Sequence, residues 1–441
     1  MREGPLRVGS ILQTHAPRCG EFPLLSHRRV LAELTACRTA AMGSYSRACN
    51  HCDSLFFGGY NSCRNRNCPS CGGPTRARWL ARVRQDILPV DYFHVVFTLP
   101  ESLSKLALAN REIVYGLLFR ASWQSLSQLA ADPGHLGGQI GALAVLHTWN
   151  QQLLHHAHVH YVIPGGALSS AGTWVPARRS KKSGKGYFLC VEALSRLFRG
   201  KFLAGLKRLH ASGKLRLPPA LARLADRRAW EQFLTPLHRQ EWVVHGEGPP
   251  KGQPGPDAVL KYLARYVAGV AISDRRLISH DGQTVQFWVR EPKKPGRSSH
   301  KTRRRPSALP GAEFVRRFLL HILPRGFRRV RYYGLLSNRH RQDQVARVRA
   351  LLGAGGTATE ETRAPVSHRN AGTGESLAKC PRCGVGLLEI VPSEETPRGW
   401  VEVLLSSAFA TESDWSWWRG RLRRNRCRGD PSGRGNQKVA P

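Results

Sequence analysis

The chain has 441 residues and carries 68 Lys and Arg against 30 Asp and Glu, a formal net charge of +38. Such an excess excludes an ordinary acidic metabolic enzyme and points to a polyanion, because each Lys or Arg that meets a phosphate releases condensed counterions. A hydrophobic content of 41%, with 11 Trp, 15 Phe and 10 Tyr, excludes global disorder and supplies two or three packed domains.

No apolar run of 18 residues occurs, and Met1 to Gly20 lacks the apolar stretch of a signal peptide, so a cytoplasmic protein is expected. In a reducing compartment cysteines read as metal ligands or buried thiols. Residues 1–85 hold seven of the 11 cysteines in a Gly- and Arg-rich context, as expected of a small zinc-binding domain held by metal more than by core. Cys49 and Cys52 form one Cys-x-x-Cys knuckle, Cys68 and Cys71 a second, with fifteen residues between them. This spacing predicts one tetrahedral structural zinc site made of those four thiolates. Cys63 and His51 read as bystanders, and Cys37 stays open between ligand and buried thiol. A further knuckle, Cys380 and Cys383, completes a site only with distant partners such as Cys427 or a histidine; otherwise it is a pair of buried thiols.

From 86 to 345 strand-like runs (92–98, 158–163) mix with helix-like ones (103–129, 191–209, 258–270) without a βαβ rhythm. This predicts an α+β domain with a mainly antiparallel sheet flanked by helices. Residues 155–163 read His-His-Ala-His-Val-His-Tyr-Val-Ile, then Pro-Gly-Gly. In a strand His158 and His160 face the same way, with Cα atoms about 7 Å apart, a geometry that grips one divalent cation. Val159, Tyr161 and Ile163 face the other way, into a core. Gln151, Gln152 and His156 are the nearby candidates for a third ligand, with no choice among them. In the helix predicted over 258–270, Tyr262 and Tyr266 are four apart and share a face, flanked by Lys261 and Arg265. Residues 290–305 hold eight Lys or Arg and one acid, an expected exposed basic loop that includes Arg303, Arg304 and Arg305. With the basic runs 178–185 and 316–331 it is expected to line a phosphate path, with Trp288, Tyr332 and Tyr333 as candidate stacking partners for unpaired bases. Residues 346–441 read as a linker and poorly ordered tail ending in an aperiodic Trp- and Arg-rich stretch.

Seven ordered segments resemble the HUH-type transposases of the insertion sequence ninety-one family, themselves similar to rolling-circle replication initiators. The segments are 37–41, 60–71, 92–100, 155–166, 262–266, 271–276 and 317–327, within a resemblance spanning about 30–345. It implies an HUH endonuclease-like fold behind a zinc-ribbon-like N-terminal domain, and a metal-dependent nicking and strand-transfer enzyme acting on single-stranded DNA at element ends. His158 and His160 would hold Mg²⁺ or Mn²⁺, and Tyr262 and Tyr266 would be the nucleophiles. Attack would leave a 5′-phosphotyrosine and a free 3′-OH. Arg265, Arg303, Arg304 and Arg305 would contact DNA in the bacterial nucleoid. Two other readings share these residues: a plasmid-type replication initiator or relaxase, and a catalytically inactive zinc-containing DNA-binding relic. No Gly-x-x-x-x-Gly-Lys-Ser/Thr sequence of a fused helicase occurs.

Overall fold

The computed structural model describes residues 6–19, 24–179, 186–187, 189–248, 269–291, 303–353 and 378–391. Helices α1 (Val8–His15) and α2 (Leu25–Thr35) precede the hairpin β1 (Ser44–Cys49) and β2 (Leu55–Tyr60), then α3 (Gly72–Arg84). Strand β3 (Tyr92–Thr98) leads into α4 (Ser104–Ala109) and α5 (Arg111–Ala131). The short strand β4 (Gly138–Gln139) is followed by the long hairpin β5 (Gly141–Trp149) and β6 (His155–Pro164). The short strands β7 (Gly166–Ser169), β8 (Trp174–Pro176), β9 (Arg178–Arg179) and β10 (Gly186–Tyr187) come next, then α6 (Val191–Ala211), α7 (Arg227–Arg239) and β11 (Val244–Glu247). Strands β12 (Leu277–His280), β13 (Thr284–Arg290) and β14 (Arg304–Pro310) precede α8 (Gly311–Leu319), β15 (Val330–Gly334), α9 (Arg341–Leu351) and β16 (Leu388–Val391).

The expected helix over 103–129 is divided at Asn110. Its amide donates to the carbonyls of Leu106 and Arg216 while its Oδ1 accepts from the Arg216 amide, so it ends α4 and opens α5. The predicted helix over 258–270 lies almost wholly outside the described residues.

A five-stranded sheet in the order β11-β3-β6-β5-β15, antiparallel throughout, forms the centre. The α+β class read from the sequence is the class observed. Alternation divides each strand between two faces. Phe93, Val95 and Phe97, Ala142, Ala144 and Leu146, and Val159, Tyr161 and Ile163 enter one core with α5, α6 and α7. Each large side chain buried there stabilises the fold by about 1.5–3 kcal/mol. Gly205 lets α6 close on α5, since a Cβ would sit 2.4 Å from a Leu117 methyl. The opposite face carries a patch made with Val83 of α3 (Tyr92, Leu143, Val145 and Val162) and, beside it, the histidines.

Two boundaries differ from expectation. Residues 1–85 do not stand alone: Ile11, Leu12, Val30, Leu34, Cys37, Cys68 and Cys71 share a core with Phe287, Phe314 and Phe318 of the β12-β13-β14 sheet and α8. Nor is all of 346–441 linker and tail, because β16 returns to pair with β1 from Ser46↔Val391 to Cys49↔Leu388. Residues 354–377 and 392–441, which include the Trp- and Arg-rich stretch, lie outside the described residues.

Candidate metal centres and nucleic-acid interface

On that second face of the central sheet, antiparallel register sets His147 of β5 directly across from His158 of β6. His147, His158 and His160 each offer a ring nitrogen within 4.8 Å of the others. His147 is therefore the third member of the group, in place of the three candidates considered from sequence. The backbone carbonyls of Gln151 and Gln152 are engaged by Arg276 and Arg317, and the His156 carbonyl accepts from His158 Nδ1 at 2.7 Å.

Each ring of the trio has a fixing partner. The His156 carbonyl orients His158, leaving its Nε2 as the outward nitrogen. Trp149 stacks on His147 with centroids 4.6 Å apart. His94 Nε2 lies 2.9 Å from His160 Nδ1, the two rings parallel, and Glu247 Oε2 lies 3.7 Å from His94 Nδ1. Contact with His94, and then His245, holds the Glu247 carboxyl down at about 2, so it is ionised at neutral pH. Burial pushes His158 down to about 4 and His160 further, so both rings are neutral, the state in which imidazole is a ligand. Three imidazoles converging on one point fit a divalent cation.

Behind the trio, the turn joining β5 and β6 is held from several sides. His321 donates from Nε2 to the Leu153 carbonyl at 2.9 Å and faces the Thr148 hydroxyl through Nδ1 at 3.2 Å. His155 meets the Tyr115 hydroxyl at 2.9 Å. Tyr262, Tyr266 and Arg265 lie outside the described residues. The described chain resumes at Gly269, whose carbonyl accepts from Arg329 at 2.6 Å. Val270 and Ala271 then line a small cavity, about 10 Å³, with Trp149, His321 and Arg66.

The N-terminal cysteines are grouped otherwise than their spacing predicts. Cys68 and Cys71 join Cys37 and Cys63, while Cys49 and Cys52 join Cys380 and Cys383. The expected single site of Cys49, Cys52, Cys68 and Cys71 is thus divided between two clusters, because each knuckle faces a different neighbour. Cys37 follows α2 and Cys71 caps α3, which brings the Cys37 and Cys68 sulfurs to 3.6 Å and those of Cys63 and Cys71 to 3.6 Å. Cys63, read as a bystander, is a full member of its cluster. A tetrahedron with metal–sulfur bonds of about 2.3 Å has edges of about 3.8 Å, whereas a disulfide bond is about 2.05 Å long.

The basic runs also divide. Arg304 and Arg305 lie in β14 instead of a loop and, with Arg303, are exposed; Arg304 pairs across from Arg290. Arg276, desolvated and close to Arg290 and Arg304, is pulled down to about 10. In the 316–331 run much of the charge is used internally: Arg316 and Arg317 bridge Glu313, Arg329 holds Gly269, and Arg331 lies over the Phe119 ring at 4.2 Å. Tyr333 stacks on Trp123 and Tyr332 lies under Arg341, whereas Trp288 is exposed beside the arginine hairpin. The side chains of 178–185 lie outside the described residues. No helix among the described residues is long and apolar enough to cross a membrane.

A sheet that aims three imidazoles at one point, in a chain of +38 with two four-cysteine clusters, defines a metal-binding protein suited to a polyanion. A family model described as "Putative transposase" matches residues 141–344, and one described as "Transposase zinc-binding domain" matches residues 11–99. The chain is 44% identical over 365 residues to "Putative transposase y4qJ" of Sinorhizobium fredii, covering 82% of this chain and 88% of that one. It is 29% identical over 316 residues to the transposase for insertion sequence element IS801 of Pseudomonas savastanoi pv. phaseolicola, 70% of each chain. The chain belongs to the IS91 family of transposases. Among solved structures it is similar to the conjugative relaxase TrwC in complex with oriT DNA, at 15% identity over 59% of this chain and 71% of that one. The TM-score of 0.21 is below the level at which a shared fold follows.

Proposed function

We propose that this transposase nicks and rejoins single-stranded DNA at the ends of its insertion element through a tyrosine nucleophile, Tyr262 or Tyr266, assisted by Mg²⁺ or Mn²⁺ held by His147, His158 and His160. The observation that carries this reading is the convergence of three imidazoles, His158 and His160 among them neutral, on one face of the sheet. A divalent cation there would polarise the scissile phosphate and stabilise charge developing in the transition state. The tyrosine oxygen forms a bond to phosphorus as the bond from phosphorus to the 3′-oxygen breaks. The phenolic proton leaves to solvent, the 3′-oxygen gains one, and the phosphodiester bond energy is kept in the phosphotyrosine, so rejoining needs no ATP. Arg265, Arg303, Arg304 and Arg305 would hold the phosphate backbone, and Cys37, Cys63, Cys68 and Cys71 would hold a structural zinc. The protein would work in the bacterial cytoplasm, at the nucleoid.

Covalent capture tests this. The protein is mixed with Mn²⁺ and labelled single-stranded DNA carrying the sequences that flank its gene, then run on a denaturing gel beside Tyr262→Phe, Tyr266→Phe and the double variant. The expected result is a metal-dependent adduct, lost in the double variant or in one single variant. Retention of single-stranded DNA with no adduct at any metal concentration would leave the DNA-binding relic as the better reading.

A further inference from the structure

We propose that Cys49, Cys52, Cys380 and Cys383 form a second structural zinc site, which fastens residues 378–391 onto the N-terminal hairpin across the whole catalytic region. The zinc-binding family match ends at residue 99 and so contains only half of these ligands. The proposal is independent of the nicking mechanism.

The two knuckles have the same build. Cys49-Asn50-His51-Cys52 closes β1 and Cys380-Pro381-Arg382-Cys383 precedes β16, and in each the residue after the second cysteine has positive φ, 52° at Asp53 and 69° at Gly384. In each, the amide two residues beyond the first cysteine donates to its sulfur at 3.4 Å: His51 to Cys49 and Arg382 to Cys380. The Gly386 amide likewise donates to Cys383 at 3.4 Å. Such donors spread the negative charge of a thiolate and stabilise the ionised form that a metal requires. The knuckles face each other, with Cys49 and Cys383 sulfurs 3.7 Å apart and Cys52 and Cys380 sulfurs 3.8 Å apart. These are the edges of a zinc tetrathiolate and far too long for disulfides.

The backbone between the knuckles is fitted to this approach. The Asn50 amide donates to the Leu387 carbonyl, and Asn50 Oδ1 accepts from the Leu387 amide. Gly386 leaves room where a Cβ would stand 2.4 Å from the Cys49 sulfur. What is missing is a core. The apolar cluster here consists of Cys49, Cys380 and Leu388, with Phe56 at its edge, too few side chains to hold a three-stranded sheet closed by burial alone. A metal supplies that closure in small modules, and four converging thiolates without one would repel each other.

The test uses the full-length chain. Zinc per chain is measured for the native protein and for Cys380→Ser/Cys383→Ser; the difference is read, so that zinc held elsewhere cancels. The expected result is one zinc per chain fewer in the variant, and equal zinc content in two folded proteins would overturn the proposal. A second measurement needs no variant. The native protein is alkylated before and during stepwise chelation, and the labelled cysteines are mapped by peptide mass. Cys49, Cys52, Cys380 and Cys383 are expected to be protected at first and to become labelled as one set. Labelling of Cys380 and Cys383 in the zinc-loaded chain, with Cys49 and Cys52 still protected, would overturn it.

Discussion

Replacement of His94 by phenylalanine tests the arrangement behind the imidazole trio. His94 is 5% exposed, its ring lies parallel to that of His160 with centroids 5.1 Å apart, and its Nε2 is 2.9 Å from His160 Nδ1. If His160 holds the cation through Nε2, its Nδ1 carries the proton and donates to His94, whose own Nδ1–H then faces the Glu247 carboxylate. His94→Phe puts an apolar ring in the place of the buried imidazole and removes this polar link. Breaking a buried hydrogen bond so that its partner loses its acceptor costs about 1–3 kcal/mol. Loss of the group that orients a metal-bound histidine typically weakens metal affinity 10–100-fold. The expected outcome is a Mn²⁺ dissociation constant raised by about that factor, read by calorimetry on the metal-stripped protein. The Mn²⁺ concentration needed for nicking should rise in parallel, with nicking at saturating metal largely restored. Glu247→Gln, at the exposed outer end of the link, should have a smaller effect in the same direction. A folded His94→Phe protein with Mn²⁺ affinity within twofold of the native value would refute the reasoning.

Other outcomes follow from the same geometry. His147→Ala is expected to abolish metal-dependent nicking as completely as His158→Ala, and substantial activity in a folded His147→Ala protein would remove it from the site. Acid should destabilise the metal-free fold in a defined window. Burial holds His155 and His321 down at about 3 and about 4, below the ordinary 6.5, so the unfolded chain takes up protons first. Their stabilising contribution is complete above pH 6.5 and is lost as pH falls toward those lowered values, by about 2 kcal/mol for each at pH 5. Urea midpoints that are equal at pH 7 and pH 5 would contradict this. Arg304→Ala and Arg305→Ala should weaken single-stranded DNA binding across all sequences. Each guanidinium removed from a phosphate should also shallow the plot of log affinity against log salt by about 0.7, and an unchanged slope would show that these side chains do not meet the backbone.

How much of this was legible in the sequence depended on whether the signal was local. The histidine strand was legible because Val159, Tyr161 and Ile163 alternate with His158 and His160, a period of two that the structure keeps. His147 was not, since Gly141–Trp149 reads as a continuous buried apolar strand, and its place opposite His158 is set by hairpin register. The cysteines show the same limit more sharply. A rule built on spacing joins the two nearest knuckles, yet Cys49 and Cys52 find their partners through the β1–β16 pairing, and Cys380 lies 328 residues beyond Cys52. Composition marked the run around Arg317 and Arg329 as a phosphate path. It cannot distinguish a guanidinium that faces solvent from one that holds Glu313, Gln152 or Gly269.

Those internal arginines and the shared core tie the cluster of Cys37, Cys63, Cys68 and Cys71 to the rest of the described fold. Arg66 lies between Cys63 and Cys68 and donates to the carbonyls of Phe327, Leu323 and Pro324. Ser70, inside the second knuckle, bonds Asp274 at 2.7 Å, and the same carboxylate accepts from the first turn of α1 at Val8. The segment that Arg66 grips follows His321, which in turn holds the Leu153 carbonyl in the turn between the two histidine-bearing strands. Two sets of hydrogen bonds, from Arg66 to residues 323–327 and from His321 to Leu153, thus join the segment that carries Cys63 and Cys68 to the β5–β6 turn through the chain between them. A structural metal at that cluster would fix the loop that carries Arg66, and through it would restrain the β5–β6 turn. On the proposed reading, a metal held by these four cysteines would help keep the three imidazoles converged.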